Sequence, residues 1–272
     1  MLHLSAEVIA VLFALAIFGL PISYVLTNAG KTSAAAAEMS IAPAGKTQYL
    51  SNFSSVISAS NYMLIRAYFN STIITALSIV VLLAISSMAG FVLERRKGRG
   101  ISWINFLVLA GLMIPPAVVP TIWVLKLIGL YKNVLGLVFV EAALAFPFSV
   151  LLYRGYMGSI PRELDEASFI DGCTGWDLFV KVIFPLIKPV STTIAIITSI
   201  TIFNDFVNPL YFLPGAKNVT VQLTLYNFIS MYMNKWNLLF ADVLLISIPP
   251  LVFFIFFNGK IVSGLVAGAI KA

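Results

Sequence analysis

Three stretches of this chain carry no charged residue over a length that can cross a membrane, and this feature constrains the fold more than any other. They are Val8–Leu26, Asn70–Leu93 and Ile101–Leu125. Three further apolar runs, each with one acidic residue, are Val134–Tyr153, Val190–Leu213 and Leu238–Asn258. A helix needs about 20 mostly apolar residues to cross the hydrocarbon core of a bilayer. The runs therefore predict an all-α integral membrane protein with about six transmembrane helices.

The composition supports this prediction and excludes other classes. The chain is 60% hydrophobic and only 10% charged, with a mean hydropathy of +0.99, whereas soluble domains are roughly 45–50% apolar and about 25% charged. Unbroken apolar runs also disfavour a β-barrel, whose strands alternate. The single Cys173 cannot form an intrachain disulfide, and the single His3 offers no ligand pair for a metal. We therefore predict neither a metal site nor catalytic residues.

The runs divide the chain into spans and loops. The residues before the first run lack Lys and Arg, so we expect a retained helix rather than a cleaved signal peptide. The following segment is polar and should lie outside the membrane. The predicted segments are span 1 (8–26), an extracytoplasmic segment (27–69), a core membrane domain (70–258) with span 2 (70–93), span 3 (101–125), span 4 (134–153), a loop (154–189), span 5 (190–213) and span 6 (238–258), and a tail (259–272).

The distribution of cations predicts the orientation. The short loop Glu94–Gly100 contains Arg95, Arg96, Lys97 and Arg99. Lys and Arg concentrate in short cytoplasmic loops close to the ends of spans. The loop should therefore be cytoplasmic, and alternation then places the loop 154–189 and both termini in the cytoplasm.

The loop between spans 4 and 5 begins with a predicted helix of about three turns. Pro161 suits its first turn, because a missing N–H costs nothing there. The carboxylates of Glu163, Asp165 and Glu166 complement the positive end of the helix dipole. Gly172 should end the helix by adopting a left-handed conformation.

A second helix should follow at once. Thr174 and Asp177 have the spacing of a capping box, and Pro185 should end this helix. One apolar face is predicted, made of Trp176, Phe179, Val180 and Ile183. An ordinary interfacial loop resting on lipid head groups would share these features.

The residues of this loop also resemble a known motif. Glu166-Ala167-Ser168, Asp171-Gly172 and Val182-Ile183-Phe184-Pro185 match in type and spacing the EAA loop of the membrane subunits of ATP-binding-cassette (ABC) importers. The departures are Ser168 and Cys173, where alanine is usual, and Phe184 in place of leucine.

Other strings, in the same order along the chain, resemble the carbohydrate-type permeases on the branch of the maltose-system subunit MalG. They are Asn61-Tyr62 before Asn70-Ser71, Ala89-Gly90-Phe91, Phe203-Asn204-Asp205-Phe206 with Pro209-Leu210, and Gly264 to Lys271. Phe203 departs from that branch, which often has Trp. The resemblance implies the type I (MetI-like) permease fold, with the EAA helix as a cytoplasmic coupling helix.

The resemblance also implies a function and partners. The chain would be a permease subunit of a sugar or oligosaccharide importer in a bacterial or archaeal cytoplasmic membrane. It would pair with a second permease subunit, two ATPase subunits and an extracytoplasmic solute-binding protein. The implied ATPase contacts are Glu163, Glu166, Ala167, Ser168, Asp171 and Gly172. The strings Gly30-Lys31-Thr32 and Gly45-Lys46-Thr47 lack the first glycine of a phosphate-binding loop. We therefore expect ATP and Mg²⁺ on the partner ATPase, no cofactor on this chain and no enzymatic activity of its own.

Polar and aromatic residues inside the predicted spans are candidates for the solute path, since ionisable groups there are costly and face a cavity or a partner. The candidates are Glu141, Phe203, Asn204, Asp205, Asn208 and Tyr211. Asn and Asp supply the hydrogen-bonding groups that sugar hydroxyls need, although aromatic side chains in spans are more often packed or lipid-facing. Prolines interrupt the later spans, and Pro209 lies close enough to Asp205 to act in a gate.

Two other functions remain open from the residues. An ion-coupled secondary transporter would use Glu141, Asp205 and Asp242 as proton or ion sites, but it would leave the EAA loop without a role. An integral-membrane enzyme would have very few reactive groups available. Copurification of an ATPase subunit would separate the first of these from the ABC importer.

Overall fold

The fold is described from a computed structural model, which covers the backbone of residues 2–43, 45–229 and 234–269 and the side chains of residues 7–8, 10–43, 45–229 and 234–257. Within those ranges the secondary structure is helical, without strands, as the sequence predicts. Among the described residues, four helices are long and apolar enough to cross a membrane: Ala10–Ala29, Tyr49–Arg95, Val134–Met157 and Trp236–Phe257. A bent pair, Gly175–Leu186 with Lys188–Phe203, raises the number to five if it counts as one span.

The helices follow one another with short connections. In chain order they are α1 (Leu2–Ala14), α2 (Leu20–Ala29), α3 (Ser33–Ala37), α4 (Tyr49–Arg95), α5 (Arg99–Ala110), α6 (Val118–Leu127), α7 (Val134–Met157), α8 (Glu163–Ile170), α9 (Gly175–Asp177), α10 (Phe184–Leu186), α11 (Lys188–Phe203), α12 (Val207–Phe212) and α13 (Trp236–Ala269). The π-helical segments Leu15–Gly19 and Leu178–Ile183 join α1 to α2 and α9 to α10, and a 3₁₀ segment spans Val221–Asn227.

The contacts divide the chain into two compact units, one made of Met1–Phe69 and Val219–Leu251 and the other of Asn70–Asn218 and Val252–Ala272. In the first unit, buried amides link three parts of the chain. Asn52 Nδ2 donates to the carbonyls of Ala29 (2.8 Å) and Lys31 (2.9 Å), and Asn237 Nδ2 donates to Asn52 Oδ1 (3.0 Å). Buried polar groups need such partners, so this network fixes the polar segment after α2 against α4 and α13.

The second unit contains the loop with the EAA resemblance. Its larger apolar cluster combines the last turns of α7 with the segment after α8, through Tyr153, Met157, Phe179, Ile183 and Ile187. The Tyr153 hydroxyl and Ser191 Oγ lie 2.7 Å apart. A second cluster gathers Leu137 and Val140 of α7 with Ile202 and Phe212. Helix α7 therefore forms part of both clusters and positions the loop as well as the end of span 5.

Span 3 is not one continuous helix, in contrast to the prediction for residues 101–125. It is divided into α5 and α6, neither of which is long enough to cross a membrane by itself. The break contains Pro115 and Pro116, which have no N–H to donate and restrict the residues before them. Gly111 ends α5, at a point where an added Cβ would lie 2.9 Å from Pro147 Cγ of α7. Proline chemistry and close packing against α7 therefore determine where the helix stops.

Two other predicted boundaries differ from the structure. The helix containing span 2 begins at Tyr49, well inside the segment predicted as polar, and its regular course is interrupted at Ser60, Asn61 and Tyr62, all with positive φ. These φ values lie outside the right-handed helical region, so the residues form a turn that separates two right-handed helices. Left-handed conformations are unfavourable for such residues. At the other end, α13 continues past span 6 to Ala269. Residues 270–272 of the predicted tail lie outside the described residues.

Candidate functional site

Helix α8 presents one exposed face made of four residues. Glu163, Glu166, Ala167 and Ile170 have the spacing i, i+3, i+4 and i+7, which places them on the same side of a helix. All four are exposed, and the Ile170 side chain retains 86% of its accessible surface. An apolar side chain at the end of an acidic face is suited to contact a cationic, partly apolar surface on another protein. We call these four residues the outer face of α8.

Ser168 does not belong to that face. It is buried, and its Oγ donates to the carbonyl of Leu164 at 2.7 Å. Ser168, one of the implied ATPase contacts, therefore does not present its side chain on the exposed face. Helical geometry gives the reason, since Ser168 lies about 140° around the axis from Glu163. Ser168 contributes to packing within the chain, while Ala167 remains accessible.

The opposite side of α8 is fixed to the end of α4. Asp165 Oδ2 lies 2.8 Å from Arg95 Nε, and the two side chains are only 14% and 10% exposed. Arg95 also donates to the carbonyl of Ile160, and Arg162 Nη2 donates to the carbonyl of Glu94 at 3.2 Å. Charge-assisted bonds of this kind are stronger than neutral ones. The loop is thereby held firmly against the end of span 2.

The sequence prediction missed Asp165 as a positioning residue, although a signal was present. Residues two positions apart point to nearly opposite sides of a helix. Glu163 and Asp165 therefore cannot lie on the same face of the helix. The positions of the three acids within residues 163–166 already place Asp165 apart from Glu163 and Glu166. The partner, Arg95, was identified only as a topology signal, because its distance from Asp165 depends on the packing of α4 against the loop.

The end of α8 confirms the predicted role of Gly172. This residue has φ of +81°, and no atom lies within 4 Å of a Cβ built there. The Gly172 N–H donates to the carbonyl of Phe169, and the Cys173 N–H donates to the carbonyl of Ser168. These two bonds form a Schellman motif. Asp171 caps the helix immediately before it and is exposed. The helix has 8 residues, about two turns rather than the three expected, because it begins at Glu163 instead of Pro161.

The second helix begins with the predicted capping box. Thr174 Oγ1 accepts from the Asp177 N–H at 3.2 Å, and Asp177 Oδ2 accepts from the Thr174 N–H at 3.2 Å. Lys181 Nζ lies 2.6 Å from Asp177 Oδ1. The hydrogen bond from Lys181, with those from Thr174, lowers the pKa of Asp177 to about 2. The backbone N–H groups of Thr174 and Asp177, at the start of this helix in the loop between spans 4 and 5, therefore both have hydrogen-bond partners.

The predicted apolar face of this second helix is only half correct. Phe179 and Ile183 are buried, but Trp176 and Val180 are exposed. The segment Leu178–Ile183 is π-helical and has a wider turn, so the α-helical spacing behind the prediction does not hold across it. The helix also continues past Pro185 to Leu186, and the chain then bends by 70° into α11.

The solute-path candidates gather where α11 ends and α12 begins. Asn208 Nδ2 donates to Glu141 Oε1 at 3.2 Å, and Glu141 is buried in α7. Asp205 Oδ1 accepts the N–H groups of Val207 (2.8 Å) and Asn208 (3.3 Å). The break between the two helices is therefore fixed by side chains that satisfy the backbone, the condition under which irregular backbone is tolerated at membrane depth.

The remaining candidates differ in accessibility. Asn204 and Tyr211 are exposed, whereas Phe203 is half-buried. Asn204 Nδ2 donates to the carbonyl of Ile200. Glu141, Asp205 and Asn208 thus have partners within the chain and are at least partly buried, while Asn204 and Tyr211 retain more of their accessible surface. Among the side chains that the structure describes, no group of three or more His, Cys, Asp or Glu residues could hold a metal ion.

The comparisons with known proteins agree with this architecture. Residues 84–266 match the model of the family described as "Binding-protein-dependent transport system inner membrane component". Two curated relatives are each 31% identical to the chain. The probable ABC transporter permease protein YurM of Bacillus subtilis aligns over 79% of the chain and 72% of its own length. The probable starch degradation products transport system permease protein AmyC of Thermoanaerobacterium thermosulfurigenes aligns over 83% and 82%.

A solved structure has the same fold. A chain of a bacterial ABC transporter involved in the import of the acidic polysaccharide alginate superposes with a TM-score of 0.81, over 95% of both chains and at 19% identity. The apolar helices and these relatives establish a multi-pass integral membrane protein. Because the family model covers most of the chain, including the outer face of α8 and the break before α12, the chain belongs to the binding-protein-dependent transport system inner membrane components.

Proposed function

We propose that this chain is a permease subunit of an ATP-driven importer of carbohydrates and forms half of the translocation pathway with a second, similar subunit. Membership of the family supports the transport role. The carbohydrate class is supported by AmyC, which is named for starch degradation products, and by the shared fold of the alginate importer. Transport would proceed by alternating access, with the pathway opening first to the outside and then to the cytoplasm.

The observation that carries the coupling role is the outer face of α8. Its carboxylates are free of ion pairs among the described side chains, so they are available to Arg or Lys residues of an ATPase. Asp171 and Gly172 complete the contact by turning the chain sharply at the end of the helix. The pair Arg95–Asp165 would pass movement of α8 to α4. Two ATPase subunits would bind ATP and Mg²⁺, while this chain would hold no cofactor and catalyse no reaction.

The orientation follows from the basic loop Glu94–Gly100, which we place in the cytoplasm with α8 and both termini. The membrane would be the cytoplasmic membrane of a bacterium or archaeon. The segments 27–69 and 214–237 would then face outwards and contribute to docking of a solute-binding protein. Residues 230–233 of that second segment lie outside the described residues.

The break between α11 and α12 would line the solute path. Asn204 and Tyr211 are the accessible groups there, the first able to bond hydroxyl groups and the second able to stack on a sugar ring. Glu141, Asn208 and Asp205 would hold the break in shape from behind. Broken helices near the membrane centre serve transporters in this way.

The test uses the chain purified with its ATPase and second permease subunit and reconstituted in vesicles with the solute-binding protein. Glu166→Lys reverses a charge on the outer face, and Gly172→Pro removes the N–H bonded to Phe169. Both variants should insert into the membrane but lose the stimulation of ATP hydrolysis by loaded binding protein. Glu7→Lys makes the same charge change on an exposed residue of α1, outside the loop of α8 and outside the segments assigned to the binding protein, and should keep this stimulation.

Two results would contradict the proposal. Unchanged stimulation in both variants would remove α8 from the coupling interface. Failure of any ATPase to copurify after mild detergent extraction would instead favour an ion-coupled carrier, whose transport should then respond to a proton or sodium gradient.

A further inference from the structure

A groove lies between the end of α4 and the loop that contains α8, and neither the solute path nor the outer face of α8 includes it. It encloses about 480 Å³. Its walls include three arginines, Arg95, Arg96 and Arg162, and several aromatic side chains, among them Phe91, Phe169 and Trp176. We call it the arginine–aromatic groove. All of its residues belong to the second compact unit.

The groove carries an excess of positive charge. Arg95 is neutralised by Asp165, the one acid in its walls. Arg96 and Arg162 are exposed and take part in none of the ion pairs of the described side chains. Arg162 uses one Nη2 donor on the carbonyl of Glu94 and keeps the rest of its guanidinium available. These two cations are therefore suited to bind an anion with several acceptor oxygens, because guanidinium groups bind such anions well.

The groove also has an apolar side that continues along a membrane-spanning helix. Met88, Phe91 and Val92 occupy the last turns of α4. Trp176 is 65% exposed and Phe169 is 55% exposed. Exposed Trp with nearby arginine is typical of the level of the lipid head groups. A ligand that is anionic at one end and apolar at the other would satisfy both parts of the groove.

The other flank of the basic loop repeats this combination. A second groove of about 590 Å³ is lined by Gly98, Arg99, Ser102, Trp103 and Phe106. Trp103 and Phe106 are both exposed, as is Arg99, which forms none of the described ion pairs. Arginine and exposed aromatic rings thus border the loop on both sides, as expected for a segment lying at a lipid surface.

We propose that the arginine–aromatic groove binds an anionic phospholipid, with the head-group phosphate between Arg96 and Arg162 and the acyl chains along Met88 and Val92. Basic pockets between membrane helices on the cytoplasmic side recognise such head groups. Asp165 approaches the groove from the side of α8 opposite to its outer face, and Phe169 lies between that side and the outer face. A bound lipid would therefore support α8 from behind and leave the ATPase contact free. The proposal is independent of the transported solute.

The test measures lipid preference of the purified full-length chain without its partners. Brominated phosphatidylglycerol quenches nearby tryptophans, so its binding can be compared with brominated phosphatidylcholine in mixed vesicles. A cation close to the lipid surface contributes about 1 kcal/mol, which corresponds to about five-fold in binding. Arg96→Gln should reduce the preference for phosphatidylglycerol about five-fold, and Arg96→Gln with Arg162→Gln should reduce it about twenty-five-fold.

Matched variants distinguish lipid binding at this groove from a general effect of positive charge on the lipid preference. Lys46→Gln with Lys217→Gln removes two exposed cations from segments we place outside and should leave the preference unchanged. Arg96→Lys with Arg162→Lys keeps the charge and should retain most of it. Glycerol phosphate carries the phosphate of the head group without the acyl chains. It should not displace the brominated lipid at concentrations that would saturate a site for free phosphate, because the acyl chains contribute to binding.

Three outcomes would overturn the proposal. One is equal lipid preference in the wild type and the double glutamine variant. Another is an equal loss in the Lys46 and Lys217 control. The third combines unchanged lipid preference in the glutamine variants with their failure to copurify an ATPase in a separate extraction, which would make the groove a protein contact. None of these results depends on transport, so the proposed function stands or fails separately.

Discussion

Asp165 Oδ2 lies 2.8 Å from Arg95 Nε, and this pair joins α8 to the end of α4 through two side chains that are almost withdrawn from solvent. The two residues are far apart in sequence, and one belongs to a spanning helix while the other belongs to a loop. The pair fixes which side of α8 faces inwards. It thereby determines that Glu163, Glu166, Ala167 and Ile170 face outwards.

Asp165→Asn should destabilise the loop. The substitution removes the charge that neutralises Arg95 in a mostly buried position, and a hydrogen bond to a charged group contributes about 1.5–3 kcal/mol. We expect a lower thermal unfolding temperature in detergent and weaker stimulation of the ATPase in the assembled transporter. Glu163→Gln, an exposed change on the same helix, should leave the unfolding temperature within error. Equal stability of both variants would contradict the structural role of the pair.

Gly172→Ala should destabilise the chain, whereas Gly175→Ala should not. Neither glycine has an atom within 4 Å of an added Cβ, but only Gly172 has a positive φ, of +81°. A side chain in that conformation costs about 1–2 kcal/mol, while alanine at the start of a helix reduces the entropy of the unfolded chain. Chemical denaturation of the two variants in parallel measures the difference. A loss of equal size at both positions would show that conformation is not the cause.

Gly90→Val should disturb the packing of α4 against α7. A Cβ at Gly90 would lie 2.7 Å from Tyr153 Cβ, and Tyr153 is fully buried with its hydroxyl bonded to Ser191. Overpacking of this kind costs about 1–3 kcal/mol. Gly155→Val is the control, since nothing lies within 4 Å of its Cβ. Thermal unfolding should show a large decrease for Gly90→Val only, and a normal unfolding temperature would argue against this close helix contact.

Asn208→Ala should destabilise the break between α11 and α12. It leaves Glu141 buried without the Asn208 amide, and an unsatisfied buried group costs about 1–3 kcal/mol. Glu141→Gln in the same chain should recover part of that loss, because a neutral amide is less costly to bury than a carboxylate. A double-mutant cycle measured by chemical denaturation checks the coupling. Additive effects of the two substitutions would contradict the contact.

Several local features follow directly from the sequence. The capping box of Thr174 and Asp177 and the left-handed Gly172 are both confirmed, because each depends on a few neighbouring residues and on backbone geometry. The helical class and the presence of several membrane-spanning helices are also predictable, since long apolar runs have few alternatives. The family resemblance, carried by residues such as Glu166, Asp171 and Gly172, is confirmed by the match over residues 84–266.

Other features depend on contacts between distant residues. The apolar pattern around Trp176 predicted an α-helical face, but a π-helical turn changes its direction. Span 3 has enough apolar residues for one helix, yet it is divided where Gly111 packs against Pro147. In both places the local pattern is compatible with two conformations, and packing selects between them.

The sequence by itself determined that this chain resides in a membrane, where α8 ends and the next helix begins, and which family it belongs to. These properties arise from hydrophobicity, capping and motif spacing, which act over a few turns of the chain. Only the tertiary structure decided that Asp165 turns inwards to Arg95, that Ser168 is buried, and that Arg96 and Arg162 share a groove with Trp176. Such contacts form only when segments distant in sequence pack against each other. A local sequence pattern does not specify which side chains will then be in contact.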